Sequence, residues 1–159
     1  MPTRNIRDGE LIITDGNAQT VTLDLEDSGL SWEESRAVIN VLDRGVLSHM
    51  RLGDEAPATG NIGLKFQQFF GNATTPSLHE IFTRTGNATG WSSTNTDLGD
   101  VYTVKMVFKI YAVDNTVLET VTFNFACLNG AMSFAEGDEF DTFTAAFQDH
   151  EVMPTVAAG

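Results

Sequence analysis

Apolar and polar residues alternate along this chain far more often than they recur at helical spacing. In Val21-Thr22-Leu23-Asp24-Leu25-Glu26 the odd positions are apolar and the even ones polar, as in a strand with one face on a core and one in water. The same alternation runs from Tyr102 to Ala112, with Tyr102, Val104, Met106, Phe108 and Ile110 opposite Thr103, Lys105 and Lys109. Asp114 and Asn115 then offer a turn before Val117, Val121, Phe123 and Phe125 line the next run, so residues 101–127 predict a long β-hairpin.

Two further runs, Ala37 to Leu42 and Val46 to Leu52, flank Asp43-Arg44-Gly45, where Gly45 supplies the positive φ that a tight reversal requires. Gly53 to Gly60 reads as a polar loop, after which Ile62, Leu64 and Phe66 resume the alternation. Phe140 to Val152 alternates less cleanly, yet keeps a β-compatible composition around Phe143. One helix is well signalled. Thr75 is placed to cap it, Pro76 suits the first turn, Leu78, Ile81 and Phe82 share a face, and Gly86 marks the stop. Ser31 and Glu34 have capping-box spacing, but the apolar run after them is β-branched and reads as strand. Gly-Asn-Ala-Thr occurs at residues 71–74 and 86–89 and brackets the helix as loops; residues 86–100, around Trp91, form the longest loop-like stretch.

The 159 residues fit one domain, 1–159, with a core of its own. No stretch reaches the roughly 20 uninterrupted apolar residues of a membrane-spanning helix. The N-terminus lacks the apolar segment of a secretory signal and turns acidic at Asp8 and Glu10, which implies synthesis and folding in the cytoplasm. Cys127 is the only cysteine, so no intrachain disulfide forms, and its apolar surroundings in sequence favour a small buried thiol. Charge changes the picture most. A formal net charge of −13 opposes tight binding to phosphate backbones and suits a surface that stays close to nucleic acid without adhering to it.

Candidate chemistry is sparse. His49, His79 and His150 stand far apart and have no zinc-ligand spacing with Cys127. Glu136, Asp138, Glu139 and Asp141 lack the order and closing glutamate of a calcium loop and read as a solvated turn. Nucleophile elbows, phosphate-binding glycine loops and dinucleotide turns are all missing. The pattern predicts a non-enzymatic protein with no cofactor. Exposed aromatics at Trp32, Trp91 and Tyr111 would instead serve a carbohydrate- or ligand-binding β-sandwich, which stands as an alternative.

Val38 to Pro57 contains Asp43-Arg44-Gly45, then Arg51-Leu52-Gly53-Asp54-Glu55, then Pro57, with Ile62-Gly63-Leu64-Lys65-Phe66 following. This order resembles the tail tube proteins of long-tailed bacteriophages, and the succession of strands, helix and long hairpin extends the resemblance over most of the chain. It implies a mainly β, antiparallel sandwich or barrel-like fold with one short flanking α-helix, in a virion subunit made in the host cytoplasm. Such subunits form stacked hexameric rings around a negatively charged lumen through which DNA and the tape measure protein pass. Tail tip or baseplate proteins and terminator proteins meet the ends. By this resemblance Arg44, Arg51, Asp54 and Glu55 reach the neighbouring subunit or ring, and Asp24, Glu26 and Glu119 are candidates for the lumen wall. A tail terminator or another injection-tube component of related fold remains an alternative.

Overall fold

The computed structural model describes residues 4–65, 75–95, 100–137, 142–151 and 153–158. Their strands are β1 (Arg4–Thr14), β2 (Thr20–Glu33), β3 (Arg36–Asp43), β4 (Val46–Glu55) and β5 (Ala58–Lys65). After helix α1 (Leu78–Thr83) come β6 (Val104–Ala112), β7 (Val117–Ala135), β8 (Thr142–Asp149) and β9 (Thr155–Ala158). The fold is mainly β, with antiparallel sheets and one short α-helix among the described residues. Seven strands pair in the order β6-β1-β2-β5-β8-β7-β9, with a further pairing between β6 and β7, and β3 and β4 form a separate two-stranded sheet.

Alternation puts an apolar row from each of β1, β2, β6, β7 and β8 on the inside of the larger sheet. Leu11 and Ile13 of β1, Val21 and Leu23 of β2, Val104, Met106 and Phe108 of β6, and Phe143, Ala145 and Phe147 of β8 are all buried. Leu78 and Ile81 of α1 join the same cluster. Phe123 of β7 stands edge-on to Trp32 and Phe147, with ring centroids 5.8 and 5.2 Å away, the geometry that aromatic quadrupoles favour. Each large side chain buried in this way contributes about 1.5–3 kcal/mol.

Several expectations hold in detail. The 101–127 hairpin forms as β6 and β7, and Asn115 takes a positive φ of 66° in its turn. Gly45 has φ 82° and Arg44 φ 52°. With Asp43 paired to Val46, these angles make the two-residue turn whose twist matches that of its strands.

Others need correction. The helix is capped by Ser77, whose hydroxyl accepts from the Glu80 N–H, and it ends at Arg84 in the left-handed conformation, before Gly86. Gly53 to Gly60 is not a loop: β4 runs to Glu55 and β5 starts at Ala58. The acids and glycine suggested a loop, but Gly53 sits at an irregularity in the β3–β4 register. A Cβ on Gly53 would lie 2.8 Å from that of Ala37, so glycine allows the strands to stay paired there. Residues 31–33 belong to β2 rather than to a helix start. β7 continues to Ala135, so buried Cys127 is a mid-strand residue. Alternation did not find β1 or β9. Phe66, Asp138, Glu139, Phe140, Asp141 and the first Gly-Asn-Ala-Thr lie outside the described residues.

The stretch around Trp91 is tied to the β1–β2 turn rather than free of it. Buried Asp15 accepts the N–H groups of Asn17, Gln19 and Ser92 at 3.0, 2.7 and 2.9 Å, and Trp91 is buried in the core. Three irregular residues thus gain the anchoring that a strand would otherwise supply.

Candidate assembly interface

The β3–β4 hairpin stands apart from the core. Among the described residues its strands pair with each other and with no other strand, and at about 3.3 Å per residue they form an arm roughly 25–30 Å long. Nearly every residue on it is exposed. Large apolar side chains are among them: Val46 is 69% exposed, Leu47 72%, Met50 73% and Leu52 81%. Val38, Ile39 and Leu42 are exposed as well.

Register sorts these residues by face. Val38 pairs with Leu52, Asn40 with Met50, and Leu42 with Leu47; cross-strand partners share a face. Strict alternation along β4 would turn Leu47 away from Met50 and Leu52. A register shift between Val41 and Leu42 leaves Ser48 extra on β4, and this bulge returns Leu47 to the apolar side. From Val38 to the tip, one face of the arm thus carries Val38, Leu42, Leu47, Met50 and Leu52 with a single amide, Asn40, and the paired Arg36 and Glu55 lie at its base. The opposite face mixes Ile39, Val41, Asp43, Val46, His49 and Arg51.

Charge is segregated in the same way. Residues 36–55 hold three arginines and three acids, so the arm is neutral and the whole net charge of −13 resides on the rest of the chain. A neutral apolar projection on an acidic body suits contact with another macromolecule, because charges are depleted from the centres of interfaces. Burying the five apolar side chains of one face would contribute roughly 8–15 kcal/mol in total, against an association cost of about 4–15 kcal/mol. The arm therefore roughly balances that cost, and a lasting assembly draws on further contacts.

The arm gathers all four residues assigned to inter-subunit contact. Arg44 occupies its tip, and Arg51, Asp54 and Glu55 are exposed along β4. Sequence reasoning assigned the charged residues and passed over the apolar ones, whose signal was a pair of strands with apolar residues in both face registers. The three lumen candidates are not brought together. Asp24 and Glu26 lie on β2, where the backbone but not their side chains is described, and exposed Glu119 lies on β7, which does not pair with β2.

The aromatic platform of a ligand-binding sandwich does not form. Trp91 is buried, Trp32 is half-buried against Phe123, and Tyr111 donates its hydroxyl to Glu10 at 2.5 Å. Among the described residues no three His, Cys, Asp or Glu side chains converge to hold a metal ion, and no helix is long and apolar enough to cross a membrane. Burial, and then the charge of Asp149, pushes the Cys127 thiol up from its ordinary pKa, which keeps it protonated and a poor nucleophile.

No protein-family model and no curated protein matches the sequence. Solved structures match its fold. Over 100% of this chain and 93% of the other, the protein is similar to a chain of the anti-feeding prophage cap, described as the tube terminating cap, with a TM-score of 0.65 at 13% identity. A chain of the sheath–tube complex of an extracellular contractile injection system, PVC, in its extended state, gives 0.62 at 10% identity, covering 98% and 91%. A chain of the anti-feeding prophage baseplate, 6-fold symmetrised, gives 0.58 at 12% identity, covering 99% and 98%. The chain has a fold of the kind found in the tube and sheath components of such injection systems.

Proposed function

We propose that this protein is a structural, non-enzymatic subunit of a phage tail tube or related injection tube, assembling with copies of itself into stacked rings. The observation that carries this reading is the β3–β4 arm, an exposed apolar and neutral projection that has no part in the described core cluster. A second copy is the natural occupant of its apolar face, since subunits that repel through their acidic bodies need a neutral contact. The 6-fold symmetry of the anti-feeding prophage baseplate, whose chain has a similar fold, supports hexameric rings. In that arrangement Arg44, Arg51, Asp54 and Glu55 meet the adjoining subunit or ring, and Asp24, Glu26 and Glu119 are offered to the lumen. There, like charge would keep DNA and a tape measure protein mobile during ejection.

A terminator that stops at one ring is the second reading, favoured by likeness to the tube terminating cap and to a chain of the PVC sheath/tube terminator, TM-score 0.60 at 10% identity. Negative-stain electron microscopy of the purified chain across a concentration series separates the two. Hollow tubes of uniform diameter, formed alone or on an added tail end, support the tube subunit, and single rings at every concentration support the terminator. A monomer under all conditions, with added tail ends included, would overturn both.

A further inference from the structure

The register of β6 and β7 slips between Val104 and Met106, because Val104 pairs with Ala126 while Met106 pairs with Phe123. Asn124 and Phe125 therefore face a single residue of β6 and leave the regular ladder. Their four backbone groups are nonetheless satisfied. Asn124 N–H donates to Glu151 Oε1 at 3.0 Å and Phe125 N–H to Asp149 Oδ1 at 3.0 Å. The Asn124 carbonyl accepts from the Thr94 hydroxyl, and the Phe125 carbonyl from the His150 N–H. Two carboxylates at the end of β8 thus hold open a bulge in β7.

One of those carboxylates is in an awkward position. Asp149 is 0% exposed, and its second oxygen, Oδ2, has no hydrogen-bond donor among the described residues. Its register partners on either side, Ala58 and Ala126, bring no charge. The titratable groups around it are Glu151, the Cys127 thiol on β7, exposed His150, and Glu55 of β4, which lines a cleft with His150 and Glu151. A buried anion beside a second carboxylate, with no cation assigned to it, is strongly disfavoured. A proton on the Asp149 carboxyl removes the difficulty, because it neutralises the buried anion and gives it a hydrogen to offer the Glu151 carboxylate.

We propose that Asp149 holds a proton in the folded chain and, with Glu151 beside it, acts as a pH-sensitive latch that joins the β7 bulge to the base of the arm. The link to the arm is direct: Glu151 accepts the Ala58 N–H through its backbone carbonyl at 2.8 Å, and only Ala56 and Pro57 separate Ala58 from the end of β4. Burial first, and then the neighbouring Glu151, raises the Asp149 carboxyl to about 7, against the backbone hydrogen bond from Phe125 that lowers it. Since the unfolded chain releases this proton near the ordinary carboxylate value of about 4, the folded state binds the extra proton between about pH 4 and 7. The stabilisation is complete below that window and is lost as pH rises through it. The latch is independent of the tube reading.

The test is chemical denaturation of the full chain from pH 5 to 8.5, for wild type, Asp149→Asn and Glu151→Gln, with hydrogen exchange followed at the Asn124, Phe125 and Ala58 amides. Wild type should lose stability from pH 5 up to about 7 and level off above it. Asp149→Asn keeps an acceptor for Phe125 and supplies a permanent donor toward Glu151, so its profile should be flat there and its three amides better protected than wild type at pH 8. Glu151→Gln should move the wild-type step to lower pH. A flat wild-type profile, or an unchanged slope in Asp149→Asn, would overturn the latch. Should that variant fail to fold, carboxyl carbon NMR of the wild type decides: an Asp149 signal titrating near 7 supports the buried proton, and one titrating near the ordinary carboxylate value of about 4 overturns it.

Discussion

The molecule contains two hairpins written in nearly the same alphabet, and they have opposite fates. In β6–β7, Val104, Met106, Phe108, Val121 and Phe123 are buried; in β3–β4, Val38, Leu42, Leu47, Met50 and Leu52 lie in the open. β6 is flanked by β1 and β7, and β7 goes on to pair with β8 and β9, so their apolar row faces a sheet-lined core. The arm has no such neighbour. Apolar alternation therefore states that a face is to be covered, while topology and charge decide whether the cover comes from the same chain or another. The neutral arm on an acidic body points to another.

The sharpest way to break this comparison is to cut the two hairpins equally. Phe123→Ala should cost about 3–5 kcal/mol in the urea unfolding of the monomer, whereas Leu47→Ala should change it by less than about 0.5 kcal/mol. Similar losses would mean that the arm belongs to the core after all. Next in size is assembly: Leu42→Asp, Leu47→Asp and Met50→Asp together should weaken self-association at least about 100-fold in sedimentation velocity, since each buries a charge in an apolar contact. Monomer melting should stay unchanged. Gly45→Ala places a side chain at a φ of 82° and should cost about 1 kcal/mol, confined to the arm. Faster amide exchange in β3 and β4 alone would register it. Arg44→Ala should have the smallest effect, under about 1 kcal/mol of assembly free energy, visible mainly as a shallower dependence of assembly on salt.

The parts of the fold that were legible in sequence were those where a local rule sufficed. The Arg44-Gly45 turn, the Asp114-Asn115 turn and the β6–β7 alternation each follow from backbone or side-chain preferences within a few residues. β1 was missed because Leu11-Ile12-Ile13 forms a continuous run without alternation, and β9 because its four residues are too few to carry a period. β7 outlasted its apparent end at Cys127 because its partner changes from β6 to β8 near Ala126, an event that only topology supplies. The arm's charged residues were found through turn motifs. Its apolar face was not, because reading it required knowing that no described strand pairs over it and that a bulge at Ser48 moves Leu47 across. The Asp149–Glu151 pair depends on a slip in a distant ladder and left no local sign.

A two-stranded ribbon is at best marginally stable on its own in water, and the arm is such a ribbon, attached to the body only at its base. Much of the conformational entropy of holding it straight is then lost when it docks rather than when the chain folds. In the stacked rings proposed above, the first ring would bear that loss before any complete neighbouring surface exists, and each later ring would meet one already formed. Growth of this kind starts after a lag, shortens its lag when preformed ends are added, and sets the number of filaments by the number of nuclei.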